Sequence, residues 1–206
     1  MIDERRSGVV TATPADRDRT LGSLVAAFAR DPFLRYLFPD EASYPRYAAA
    51  FFGHLFDRRV RHGTVWTIGH GASVAMWDSP TAAETAATGT LADQIPADAL
   101  ARVRAYDAAV HAAQPKGPFW YLGVLGTHPD CARRRWGHTL MAAGLRRAAA
   151  DNVPAVLETS NPGNVELYRR AGWETVQATT IGSLGIWIMQ VPRQGTALPV
   201  AQGPTV

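Results

Sequence analysis

The sequence predicts a single domain of mixed α/β layers, and three observations carry that prediction. The chain has 206 residues, enough to bury a sizeable core in one domain. Its 47% hydrophobic and 19% charged content is ordinary globular usage, which excludes disordered, collagen-like and coiled-coil classes. Along it, short β-branched or aromatic runs alternate with segments of helical period. The order reads strand, two helices, two strands, one or two helices, strand, helix, strand, helix and two strands.

Residues 8–13 alternate as a strand, and Pro14-Ala15-Asp16 turns the chain into a helix carrying Leu21, Leu24, Val25 and Phe28. The segment 33–40 is aromatic and ends near Pro39. From Tyr44 a second helix places Tyr47, Phe51, Leu55 and Val60 on one side, and Gly63 stops it. Residues 65–68 and 73–77 form a hairpin through Gly69-His70-Gly71 and pair antiparallel. The alanine-rich stretch 82–113 reads as helical, with its register open. Residues 119–125 make a strand carrying Gly123, with Gly126 after it, a pattern that favours a bulge or close backbone approach. A helix follows over 136–150, where Leu140, Gly144 and Ala148 share a stripe. Residues 155–159 are a strand, Asn161-Pro162 caps a helix that stops at Gly172, and 173–179 and 184–189 are the last two strands. The Pro/Gly-punctuated residues 193–206 read as a flexible tail, which leaves 1–192 as the domain.

Composition narrows the function. Cys131 is the only cysteine, so no intramolecular disulfide and no cysteine metal site is expected, and a reducing cytoplasm fits. The opening MIDERRSGVV has no apolar signal core, and no stretch approaches the roughly 20 apolar residues that cross a bilayer. The net charge is +3, and 20 of the 21 basic residues are arginine, the better anion fork, although a GC-rich coding genome gives the same bias. The six histidines show no ligand spacing, and no metal is expected.

The unit 122–150 carries the most chemistry. A polar loop with Arg133, Arg134 and Arg135 opens into a helix, whose free first-turn N–H groups and positive dipole end favour an anionic ligand, phosphate above all. The sequence GxxxxGK[ST] is absent and no GxGxxG opens a helix, which argues against NTP hydrolysis and dinucleotide binding. A helix-turn-helix reading of 142–170 fails because 155–159 is a better strand than turn, so no nucleic acid is expected.

These blocks, FWYLGVLGTHPDCARRRWGHTLM and LETSNPGNVELYRRAGW, resemble the GNAT N-acetyltransferases, and within them the puromycin N-acetyltransferase type. Weaker similarity runs through AAFARDPFLRYLFPD and AMWDSP. The resemblance implies a central mixed, mostly antiparallel sheet flanked by helices, with acetyl-CoA as cofactor. Its pantetheine would extend the strand through Val124, Leu125, Gly126 and Thr127, Gly126 allowing close approach. Its pyrophosphate would sit over Ala132, Arg133, Arg134, Arg135, Trp136, Gly137, His138 and Thr139. The family loop, Gln/Arg-x-x-Gly-x-Gly/Ala, places Ala132 at its first position and Arg135 at its first glycine, while Arg133 stands where many relatives have another glycine. That departure bears on cofactor affinity.

The same resemblance assigns Tyr168 as the acid that protonates the departing thiolate, and Asn161 to the pantetheine arm, where helix capping is an equal explanation. Glu158, at a strand end, is a candidate base for the amine proton or an orienting carboxylate. Phe33, Tyr36, Trp77, Phe119 and Tyr121 are candidates to line the acceptor pocket. The implied reaction is direct acetyl transfer to a primary amine of a small molecule, an aminonucleoside or other amine antibiotic being the finer suggestion. The alternative is a non-catalytic acyl-CoA-binding or regulatory module. Monomer and homodimer both stay open.

Overall fold

Local sequence signals set most element ends. The computed structural model describes residues 8–81 and 90–193. Strand β1 is Val10–Thr11, shorter than the predicted 8–13, because the Thr13 N–H is taken by Asp16 Oδ2 at 2.8 Å and the chain turns. Helix α1 is Arg17–Ala27. The aromatic segment is a short helix, α2, Pro32–Leu37, whose cap Asp31 accepts from the N–H groups of Phe33 and Leu34. Helix α3 is Tyr44–Val60. Strands β2, Val65–Ile68, and β3, Ser73–Asp78, form the predicted antiparallel hairpin. Helix α4, Ala97–Ala113, resolves the register left open for 82–113, of which residues 82–89 lie outside the described part. The predicted tail falls there too, apart from Arg193. Strand β4 is Trp120–Thr127, α5 Trp136–Ala150, β5 Ala155–Thr159, α6 Pro162–Arg170, β6 Glu174–Ile181 and β7 Leu184–Val191.

The strands form one sheet in the order β1-β2-β3-β4-β5-β7-β6. Only β4 and β5 are parallel, and they pair only from Trp120↔Ala155 to Leu122↔Leu157. Beyond Leu122 the strands part. On its other side β4 stays paired to β3, with one irregularity: Met76 faces Val124 and Trp77 faces Leu122, so Gly123 is extra. The bulge shifts side-chain parity. Tyr121 and Val124, three apart, both lie on the face covered by α1, α3 and α4, while Trp120 and Leu122 lie under α5.

Glycines let helices lie directly on the sheet. A Cβ at Gly126 would come within 2.8 Å of both Leu24 and Phe28 of α1, so its small size serves helix packing. A Cβ at Gly144 of α5 would fall 2.1 Å from the Trp77 ring, which is fully buried and in contact with Trp66 and Trp120. Gly144→Ala is therefore expected at the upper end of the about 1–3 kcal/mol cost of overpacking. The about 1 kcal/mol of helix propensity gained is too small to offset it. The expected net loss of about 2 kcal/mol would appear as a lower urea midpoint at unchanged m. Among the described residues no helix is long and apolar enough to cross a membrane.

Candidate active site

Where β4 leaves β5, the edge of Gly123–Thr127 has no strand partner on that side among the described residues, and a cavity of about 860 Å³ opens against it. Helices α3 and α4, the α2 cap and the ends of β3 and β5 close the cavity. Its wall combines a cluster of aromatic rings with charged side chains. Phe33 and Tyr106 stack with centroids 3.9 Å apart, and Phe51 meets Phe33 edge-on at 5.9 Å. Of the predicted pocket residues, Phe33, Phe119 and Tyr121 line it. Tyr36 and Trp77 do not. Tyr36, on α2, packs against the core, and Trp77 is fully buried on the opposite face, where the hairpin register puts it.

Glu158, Tyr168, Val124 and Leu125 converge on this cavity. Tyr121 Oη donates a hydrogen bond to Glu158 Oε2. Burial pushes the Glu158 carboxyl up to about 7, against the Tyr121 hydrogen bond and the Arg59 guanidinium, which favour the charged form. The carboxylate therefore titrates near neutrality. Burial also pushes the Tyr168 hydroxyl well up, with the Glu158 charge adding to it, so Tyr168 holds its proton across the neutral range. Its ring meets Trp173 edge-on at 6.2 Å, which fixes it on α6.

Gly126 and Thr127 lie further along the strand, outside the cavity wall. Gly126 faces α1, where its small size lets Leu24 and Phe28 pack on the strand, and Thr127 Oγ1 shares a 2.7 Å hydrogen bond with Ser73. Asn161 Oδ1 accepts from Gly163 N at 3.0 Å as the cap of α6. Asn164, one turn on, reaches the cavity instead.

The loop after β4 keeps an unusual backbone. Arg133 and Arg135 have φ of 66° and 60°, the left-handed region that glycine occupies without strain. These are the two positions at which the sequence departs from the GNAT loop toward arginine. Two arginines therefore hold a backbone conformation that is strained for a residue with a Cβ. Among the described residues, the N–H groups of Arg133 to His138 donate to no backbone carbonyl, and no side chain caps the helix. Thr139 is already committed, N–H and hydroxyl both to the Arg135 carbonyl. Ala132, Arg133, Arg134, Arg135 and His138 are exposed, while Trp136 and Gly137 are half-buried, with the Arg134 guanidinium 5.1 Å over the Trp136 ring. Arg135→Gly is expected to stabilise the fold by about 1 kcal/mol by removing the strain. The same change removes a cation beside the open N–H groups, so anion affinity should fall. Thermal melts and titration with ADP read the two opposite effects.

The sequence reading missed Arg59, Asp78, Asp107, His54 and Tyr106, all on the cavity wall. Arg59 had a signal: a charged residue three positions after Phe56 on the apolar stripe of α3. Arg59 Nη2 donates to Asp78 Oδ2 at 2.5 Å. Burial lowers His54, helped by Arg58 and Arg59, and burial raises Asp107.

The model of the Acetyltransferase (GNAT) family matches residues 30–173. The chain belongs to that family. Solved structures agree on the GNAT fold. The histone acetyltransferase HPA2 and related acetyltransferase from Corynebacterium glutamicum superposes with TM-score 0.64 at 22% identity, covering 93% of this chain and 97% of that one. The C-terminal condensation domain of Ebony, solved with β-alanyl-dopamine, also gives 0.64, at 12% identity over 88% and 96%. The polyamine N-acetyltransferase of Drosophila melanogaster, which forms N-acetylagmatine, gives 0.52 at 12% identity over 89% and 98%. These neighbours share the fold of this GNAT chain, at identities of 22% and 12%.

Proposed function

We propose that this chain is an N-acetyltransferase that moves the acetyl group of acetyl-CoA to a primary amine of a small molecule by direct transfer. The observation that carries the reading is continuity: one unpaired strand edge runs from a cavity holding Glu158 and Tyr168 to a loop of open N–H groups. The residues present fit the cofactor. A strand edge suits the amides of a pantetheine arm, and six successive N–H groups flanked by arginines suit a pyrophosphate. Acetyl-CoA supplies, when bound, an acetyl thioester whose transfer turns the amine into an amide and releases a thiol.

The chain's own groups do the rest. Glu158 takes the proton of the acceptor's ammonium, Tyr168 holds a proton for the sulfur, and the backbone near Leu125 offers an N–H to the thioester oxygen. The aromatic wall of Phe33, Tyr106 and Phe119 suits an amine on a flat apolar body. An aromatic amine fits that wall better than a short polyamine does. The aminonucleoside suggested by the resemblance to the puromycin type is one such body. The C. glutamicum, Ebony and Drosophila neighbours share the fold and widen the panel to β-alanine conjugates and polyamines.

Calorimetry with acetyl-CoA, desulfo-CoA and ADP, followed by thiol release over arylalkylamines, aminonucleosides and polyamines, tests the reading. Micromolar binding, about −8 kcal/mol, with turnover of an aromatic amine is the expected result. Binding without thiol release from any amine would favour the acyl-CoA-binding module instead. No heat and no change in melting temperature would refute both.

A further inference from the structure

A buried arginine stands in the cavity with no part in the chemistry above. Arg59 is only 5% exposed, on the stripe of α3 that also buries Phe52 and Phe56. Nη2 donates to Asp78 Oδ2 at 2.5 Å, Nη1 to the Leu55 carbonyl at 3.3 Å, and Nε is buried without a partner among the described residues. Burying such a pair costs desolvation that an apolar residue would avoid, so stability alone does not account for it.

The strand opposite is shaped around this side chain. A Cβ at Gly123 would lie 2.9 Å from Arg59 Nη2, so the extra residue of the β4 bulge is the one that leaves space for the guanidinium. A cation on an apolar helix stripe and a glycine bulge in a central strand are far apart in sequence. Both are needed to seat one charge against β4.

The same added Cβ at Gly123 would lie 3.3 Å from the Tyr121 ring, whose hydroxyl donates to Glu158, so the guanidinium sits beside the tyrosine that holds the carboxylate. Arg59 favours the ionised Glu158 and Asp107, and lowers Tyr121. Glu158 also faces the Tyr121 hydroxyl from β4, Asp107 and Tyr106 from α4, and Tyr168 from α6. On its own helix Arg59 neighbours His54 and Arg58, and from β3 it meets Asp78.

We propose that Arg59 and Asp78 are a positioning pair that sets the protonation of Glu158. Arg59 supplies a fixed positive charge that keeps the carboxylate available, and Asp78 holds that charge back from direct pairing with Glu158. The inference rests on the reading of Glu158 as proton acceptor, and it concerns which residues tune it.

Carboxyl-13C glutamate labelling tests it, because the chain has six glutamates and Glu158→Gln assigns the relevant titration. Arg59→Met is expected to raise the Glu158 midpoint by about one pH unit, and Asp78→Asn to lower it by a similar amount. Arg59→Lys, which keeps the charge, should restore the midpoint. The acidic limb of kcat should move with each variant, with KM for acetyl-CoA unchanged. A purely structural pair would weaken folding in both variants without moving the midpoint in opposite directions. Should Arg59→Met fail to fold, Asp78→Asn and Arg59→Lys still decide. Unmoved midpoints, or shifts of the same sign, overturn the pairing role and leave the Glu158 reading intact. The expected shifts in a protein that acetylates nothing would overturn the functional reading alone.

Discussion

Replacing Glu158 by glutamine is expected to slow acetyl transfer about 10²–10⁴-fold at pH 8 and, in the same protein, to raise the melting temperature there. A primary alkylamine has a pKa near 10.4 and is almost wholly protonated at neutral pH, so its proton must go to a base before it can attack. Burial holds the Glu158 carboxyl at about 7, which makes it basic enough to take that proton and still ionised above neutrality. The wild-type rate should therefore rise with pH through about 7. Glutamine keeps an oxygen for the Tyr121 hydroxyl but accepts no proton, and the limb disappears with the rate.

Stability moves the other way. The folded-state pKa of Glu158 lies above its ordinary 4.5, so the folded protein binds this proton more tightly than the unfolded chain. The stability linked to it is full below pH 4.5 and is lost as pH rises through 7. Glutamine never ionises, and the variant should gain up to about 3 kcal/mol over wild type at pH 8 and almost nothing at pH 4. Initial rates by thiol release and thermal melts at the two pH values check both signs. An active, no more stable Glu158→Gln protein would remove the carboxylate from the mechanism.

Elements with several agreeing local signals were legible in the sequence. Residues 136–150 and 155–159 have the predicted ends because a stripe, an arginine-rich start and a β-branched run all agree. Helix α2 was not legible, since six residues are too few for an apolar period and only the Asp31 cap marks it. Trp77, a candidate for the pocket, lies on the opposite face, because aromatic identity carries no facing and facing depends on pairing register. The bulge at Gly123 was anticipated as a possibility of the glycines. Its consequence, Tyr121 brought onto the side of α3 and α4, needs the partner strand. Arg59 was missed for the opposite reason: its position was readable, but what a cation does on an apolar stripe depends on Asp78 and Glu158 arriving from other elements.

Tyr168→Phe is expected to lower the plateau of kcat about 10²-fold while leaving KM and the acidic midpoint unchanged. The hydroxyl matters only when charge develops on sulfur, so ground-state binding should not feel its loss. The ring keeps its edge-on contact with Trp173 and its place in the core beside Leu157, so the fold should survive. Because burial and the Glu158 charge hold the Tyr168 pKa well above its ordinary value, the residue stays a neutral donor, and it should add no basic limb in the working range. A thiolate whose conjugate thiol has a pKa near 8.5 can also take its proton from water, which bounds the effect at the lower end of acid catalysis. The two variants thus differ in kind: Glu158→Gln abolishes the pH limb, whereas Tyr168→Phe rescales it. A Tyr168→Phe protein at full plateau rate would give the sulfur's proton to water, and it would leave Glu158 as the one ionisable side chain the reaction requires.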